Sequence, residues 1–220
     1  NLWGAIVVSK VHADPFPEGA EHRLGAFAGL VAQAMANAEA RRALAAVAEE
    51  QAALRRVATL VARGGGEEEL IAAVTKEAAQ IFGAQSANTM RWDGESVRVI
   101  GGWSAPGARV PQVGRVFAAG GDTVTARVVN SGKPVRVDSP EVIESDVARE
   151  LWDETGFQAA IGAPIVVDGR MWGVVVLFRD HPDEPFSPHA EHRLGDFAAL
   201  VAQAIANAEA RRELAVLAEE

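Results

Sequence analysis

Apolar residues recur along this chain in three patterns: helical stripes, short strand-like segments, and one run that is apolar on both faces. From Leu24 a stripe passes through Phe27, Val31, Ala34, Ala38, Leu44, Val47, Leu54, Val57, Leu60 and Val61, with no proline before Gly64-Gly65-Gly66. It predicts one helix from about Glu18, ~45 residues and ~68 Å long. A helix that long and narrow calls for a partner helix beside it. The stripe shifts phase near Arg41-Arg42, so the expected seam is a helical dimer with a local register change instead of a regular coiled coil. A second helix is expected from Glu67-Glu68-Glu69, whose charge suits a helix N-terminus, with its stripe at Leu70, Val74, Ala78 and Ile81.

Strand signals follow. Ser86 to Trp92 and Ser96 to Ile100 flank Asp93-Gly94, and a Gly- and Pro-rich loop is expected from Gly101 to Gly121. Asp122 is read as the N-cap of a short helix, Thr123 to Asn130, stopped by Gly132-Lys133-Pro134. A short strand at Pro134 to Val137 and an acidic, solvated helix at Glu141 to Glu154 come next. The strongest local signal is Val167-Asp168-Gly169-Arg170, because Asp-Gly suits a two-residue type I′ turn. Of its two arms, Ala160 to Val167 and Met171 to Phe178, the second is apolar at successive residues and must be covered on both faces. Ser187 as N-cap and Pro188 at the first helical position begin the last helix, whose stripe is Leu194, Phe197, Val201, Ala204, Ile205 and Ala208. The expected fold is α+β, an α/β/α sandwich with an antiparallel sheet. Long N- and C-terminal helices cover one face; short helices and loops cover the other, where a pocket has room.

Residues Ala20 to Glu50 and Ala190 to Glu220 are identical at 25 of 31 positions, and Leu2-Trp3-Gly4 to Phe16 echoes Met171-Trp172-Gly173 to Phe186. Two copies of one module are implied. Residues 1–45 are expected to be the strand (2–9) and helix that end one module, and 46–220 a complete second one. Asn1-Leu2-Trp3 enters mid-strand, so the chain is expected to be part of a longer protein. The first strand should pair with another chain or domain, or collapse onto apolar surface.

Composition removes several classes. A net charge of −9 without a Lys/Arg cluster argues against nucleic acid. The absence of cysteine excludes disulfides, thiolate metal sites, a thiol nucleophile and a thioether-linked chromophore. No apolar run reaches membrane-spanning length and no signal segment opens the chain, so a cytoplasmic location is expected. Around Ser131-Gly132-Lys133-Pro134, Arg127 stands where a P-loop needs its first Gly and Pro134 where it needs Ser or Thr. No G-x-S-x-G elbow occurs. His181, His189 and His192 lie close in sequence, but Gly19 replaces His189 in the first copy; a solvated helix start is preferred to a metal site. No catalytic residue is assigned.

Ile161-Gly162-Ala163-Pro164-Ile165, Asp168-Gly169, Trp172-Gly173-Val174 and Ala202-Gln203-Ala204-Ile205-Ala206-Asn207-Ala208 together resemble the GAF domain family. The resemblance covers residues from about 50 to 220, with the tail of another GAF domain at 1–45. Gly101-Gly102-Trp103-Ser104 and Gly120-Gly121-Asp122 look like tandem GAF domains of actinobacterial sensor histidine kinases. The resemblance implies a small-molecule pocket between sheet and short helices, a homodimer through the long helices, a downstream output domain in the same chain, and no catalysis. Phosphatase, diguanylate cyclase and transcription-regulator outputs are the alternatives to a kinase, and a ligand-free dimerisation spacer is the alternative to a sensor. The cofactor stays unknown. A bilin lacks its cysteine, and the Asn-Lys…Phe…Asp-Glu pattern of many cyclic-nucleotide GAF domains is missing. Haem would find no His between residues 50 and 180.

Candidate ligand-binding residues follow from that expected pocket. Trp103 sits on a Gly-flanked segment near its mouth, with loop packing as the competing role. Asp122, Thr123 and Arg127 begin the short helix, where free N–H groups could meet an anion; capping alone also explains Asp122. Phe117, Phe157 and Ile161 would line apolar walls, with core packing as the alternative. A cavity of several hundred Å³ beside Trp103 would favour a sensor, and a filled one a spacer.

Overall fold

The computed structural model describes residues 4–11, 14–62, 66–109, 112–181 and 185–219. The chain divides into two compact units, residues 1–49 and 50–220. Asn1, Leu2, Trp3, Gly64, Gly65 and Glu220, which the sequence reading used, lie outside the described residues.

The helical stripe beginning at Leu24 forms α1, Ala20–Ala62, 43 residues without a break. Ahead of it, residues 4–11 carry no strand and are exposed, Val7 at 85%. The expected first strand is therefore not formed there. A lone strand leaves its backbone groups unpaired, and the first unit has no described strand to receive it.

The second unit is built on a six-stranded antiparallel sheet. Its strands are β1 (Ser86–Trp92), β2 (Ser96–Ser104), β3 (Val116–Ala118), β4 (Val135–Val137), β5 (Ala159–Val167) and β6 (Arg170–Arg179), in the order β3-β2-β1-β6-β5-β4. The central strand β6 is joined to β5 by a turn through Asp168 (φ 49°) and Gly169 (φ 75°). Two positive φ values are what a type I′ turn requires. Residues Trp172 to Phe178 of β6 are buried throughout, as a strand covered on both faces must be.

One face carries α2 (Glu67–Ile81) and α5 (Ala190–Glu219). Leu70, Ile71 and Val74 of α2 pack there with Ile161 and Ile165 of β5, Leu177 of β6, and Leu194, Phe197 and Val201 of α5. The expected start of α5 moves by two residues: Ser187 accepts the Ala190 N–H through its carbonyl, and His189 takes a left-handed φ of 61° before the helix begins. The other face carries α3 (Val124–Ser131), a single 3₁₀ turn (Pro140–Val142) and α4 (Asp146–Thr155). Val124 and Val128 of α3 approach β5 closely at Gly162, where a Cβ would lie 2.7 Å from Val124 Cγ1.

The two near-identical helical segments differ in burial. Leu194, Phe197, Ala198, Val201 and Ile205 are each at most 2% exposed, whereas Phe27, the counterpart of Phe197, is 57% exposed. The same stripe is sealed by a sheet in one copy, whereas in the other Leu24, Ala28, Val31 and Met35 are half-buried and Phe27 is exposed. No described helix is long and apolar enough to cross a membrane.

Candidate functional site

Between the sheet and the short helices lies a cavity of about 180 Å³. Its floor is Met90, Val97, Ala160, Val176 and Phe178 of the sheet, and its roof includes Val124, Ile143, Ala148, Leu151 and Trp152. Strand alternation decides which β5 side chains reach it. Ala160 faces the cavity, whereas Ile161 is fully buried on the α2/α5 side.

A β-bulge decides the same question for β2. Thr89 pairs with Gly101 but Met90 pairs with Val99, so Ile100 is an extra residue in the ladder. Such an insertion reverses the facing of everything beyond it. Val97 and Val99 therefore face the short helices, while Trp103 packs with the long-helix core. Without the bulge, Trp103 would share the facing of Val97. The cavity lies beside Phe117, Thr123 and Phe157 instead of beside Trp103.

Phe117, Thr123 and Phe157 line the cavity. Phe157 stacks on Phe178 with ring centroids 3.9 Å apart and planes 12° from parallel, giving one wall a flat aromatic face. Thr123 is the N-cap of α3, its Oγ1 accepting the Ala126 N–H at 3.1 Å, so the capping role expected at Asp122 falls one residue later. Asp122 instead reaches across 23 positions. Its Oδ1 accepts the Ser145 hydroxyl at 2.5 Å and the Ser145 N–H at 3.2 Å, and its Oδ2 accepts the Glu144 N–H at 2.7 Å. These hydrogen bonds, led by those from Glu144 and Ser145, hold the Asp122 carboxyl well below the usual carboxylate range. Arg127 donates to the Asp122 carbonyl at 2.9 Å and to the Val142 carbonyl at 3.1 Å. Asp122 and Arg127 thus brace the short helices around the cavity and do not line it.

Charge is confined to one edge of the cavity. Arg115 donates both terminal nitrogens to Glu154, at 2.8 and 3.0 Å, and its guanidinium lies 4.8 Å from the Phe117 ring centroid. The bond to Glu154 raises the Arg115 pKa, and the bond to Arg115 lowers that of Glu154. Glu150 also lines the cavity. Trp152, 8% exposed, has a buried indole N–H that meets no acceptor on the protein. Sequence reasoning missed Trp152 because α4 read as an acidic, solvated helix. Its signal was present in the spacing of Ala148, Leu151, Trp152 and Thr155, an i, i+3, i+4, i+7 stripe.

His189, Glu191 and His192 are the described cluster whose geometry approaches a metal-ligand set. His189 and His192 are exposed, and Glu191 is held near Arg136, 3.5 Å away, and His192.

The model of the GAF domain family matches residues 66–205, more than half of the chain. The chain belongs to the GAF domain family. The matched region begins just before α2 and runs through most of α5's buried stripe, so it takes in the sheet and the cavity. No curated protein matches this GAF chain. Among solved structures, the phycoerythrobilin-bound GAF domain from a cyanobacterial phytochrome is 18% identical. It covers 74% of this chain and 97% of its own, with a TM-score of 0.62. The GAF domain from Acinetobacter phosphoenolpyruvate-protein phosphotransferase is 15% identical, covering 74% and 97%, with a TM-score of 0.57. The A. aeolicus nlh2 GAF domain in an inactive state is 17% identical, covering 76% and 99%, at 0.54. At these identities the likeness shows the GAF fold alone.

Proposed function

We propose that this chain is a regulatory GAF module that binds a small molecule and dimerises through its long helices within a multidomain signalling protein, a two-component sensor histidine kinase. The observation that carries the reading is the apolar cavity of about 180 Å³ roofed by two short helices. Pockets of this kind, mostly apolar with a few polar groups, are where small ligands bind. The phytochrome GAF domain named above holds a phycoerythrobilin, which here would lack both a cysteine anchor and the space.

Signal transfer requires only that the ligand bind two helix arrangements with different affinity, so that occupancy shifts their populations. The dimer reading is supported by apolar side chains left exposed on α1, Phe27 at 57%, Leu30 at 71%, Leu44 at 72% and Val47 at 55%. We read residues 1–45 as the end of a preceding GAF domain, on the strength of the internal repeat.

Two measurements test this. Native mass spectrometry of the 220-residue chain against a library of neutral and charged metabolites should find a bound compound that an Ala160→Leu variant, which fills the cavity, no longer retains. Sedimentation should give a dimer that Phe27→Glu/Leu30→Glu converts to monomer. A chain that binds nothing overturns the sensing half of the proposal, and a monomeric parent overturns the dimer half.

A further inference from the structure

Three side chains of metal-ligand type meet at the start of α5, and none of them lines the cavity. His189 is the last residue before the helix, and Glu191 and His192 stand in its first turn. Each offers one ligand atom, and these atoms all lie within 4.8 Å of one another. His192 Nδ1 is 2.9 Å from Glu191 Oε1, about the separation of two donors that share an ion at ~2.1 Å. The two imidazoles stand edge to face, with centroids 6.1 Å apart and planes 63° from parallel. Both histidines are exposed, so small side-chain rotations can close the remaining gap without repacking the core.

The duplicated segment shows which ligand is the addition. Gly19-Ala20-Glu21-His22 occupies the corresponding place ahead of α1, and Gly19 has φ 72°. At His189 the same left-handed backbone, φ 61°, carries a β-carbon and an imidazole. Glycine takes that conformation freely, whereas a residue with a side chain takes it uncommonly. Gly19, whose presence in the first copy weighs against a metal in the sequence alone, thus identifies His189 as the added ligand. The first copy has two members of the set and the second has three.

Glu191 can turn to an ion without stranding Arg136. The guanidinium gives Nε to Asp138, Nη1 to the Ser187 carbonyl and Nη2 to the Phe186 carbonyl, each at 2.8 Å, and Glu191, at 3.5 Å, is its longest polar contact. Two imidazoles and a carboxylate, with no thiolate, suit a borderline divalent ion such as Zn²⁺, Ni²⁺ or Cu²⁺, whereas Mg²⁺ and Ca²⁺ take oxygen ligands. Three protein ligands leave water to complete the shell. Arg136 and the positive end of α5 oppose a cation. Asp196, four residues beyond His192 on the same helix face, adds a compensating carboxylate. The ion is therefore held less tightly than in a closed four-ligand site.

We propose that His189, Glu191 and His192 bind a divalent transition-metal ion of the Zn²⁺ class, which pins the residue before α5 to the first turn of that helix.

The test is calorimetric titration of the tag-free 220-residue chain at pH 7 with Zn²⁺, and with Mg²⁺ as the oxygen-seeking comparison. Zn²⁺ should saturate at one ion per chain, and Mg²⁺ should not bind. His189→Gly installs the residue of the first copy and relieves the left-handed backbone, so the metal-free variant should show an unchanged or raised Tm. Its Zn²⁺ affinity should nevertheless fall at least about tenfold. Glu191→Gln should also weaken binding, whereas His22→Ala, at the matching place in the first copy, should leave it unchanged. In the parent chain, NMR should show the imidazole protons of His189 and His192 shifting as Zn²⁺ is added. Zn²⁺ affinity that survives His189→Gly, an equal loss in His22→Ala, Mg²⁺ binding as tightly as Zn²⁺, or no saturable Zn²⁺ binding overturns the proposal.

Discussion

Asp122 and Ser145 hold each other across the entrance to two helices. The Ser145 hydroxyl donates to Asp122 Oδ1 at 2.5 Å, and the same hydroxyl oxygen lies 3.3 Å from both the Asp122 N–H and the Ala148 N–H. Ser145 is thereby the N-cap of α4 and a tie to the residue before the cap of α3. The N-termini of both roof helices are fixed by one pair of side chains. Asp122→Ala and Ser145→Ala should each destabilise the domain by roughly 2 kcal/mol, through lost charge-assisted hydrogen bonds and a lost cap. In urea denaturation the double variant should cost clearly less than the sum, since each single change removes the same contact.

The same pair gives a pH dependence. Asp122 has its carboxyl pKa lowered in the folded chain from an ordinary value of 3.8. A depressed folded pKa contributes stability that is fully present above the unfolded value and is lost as pH falls through the folded one. The stability gap between the native chain and Asp122→Ala should thus be constant from neutral pH down to about pH 5, then shrink progressively below about pH 4. A gap that widens on acidification would contradict the hydrogen-bond assignment.

The second Asp-Gly turn works differently from the first. Asp93 keeps a negative φ, and its carboxylate accepts the Glu95 and Ser96 N–H groups at 3.0 and 2.6 Å and the Ser96 hydroxyl at 2.7 Å. The Ser96 hydroxyl is the largest influence holding the Asp93 pKa at about 2. Carboxyl NMR titration should find that midpoint in the native chain. Ser96→Ala should move it upward, toward 3.8.

Two glycines separate steric contact with backbone from contact with a side-chain tip. At Gly173 a Cβ would lie 2.2 Å from the Met90 carbonyl oxygen, and at Gly162 it would meet Val124 Cγ1 at 2.7 Å. A carbonyl in the β1–β6 ladder has little freedom to move, whereas α3 can retreat slightly. Gly173→Ala should therefore cost more than about 3 kcal/mol, and Gly162→Ala about 1–2 kcal/mol. Thermal unfolding of the two variants checks the order. Because Val124 lines the cavity, Gly162→Ala should also weaken ligand binding.

Most elements of the sheet domain were legible because turn chemistry and periodicity are local. Asp168-Gly169 set the hairpin, and the unbroken apolar run of β6 required cover on both sides. The cavity was legible only in part. Phe117, Thr123 and Phe157 could be named from their segments, but Ile161 depended on knowing which face each β5 position takes. Trp103 depended on one extra residue at Ile100, a defect in pairing that no single-strand pattern reveals. Asp122 read as a cap because it is a good one; its actual partners, Glu144 and Ser145, lie beyond any local window. Trp152 was hidden by the acidic residues around it.

The duplicated helical segment has a last consequence. The side chains that seal α5 to the sheet, Leu194, Phe197, Ala198 and Val201, reappear as Leu24, Phe27, Ala28 and Val31, so the sheet has few chemical means of distinguishing them. Selection then falls to tether length: ten residues join Arg179 to Ala190, which keeps the rightful segment at high effective concentration. Lengthening that connection would let the two copies compete for a single berth.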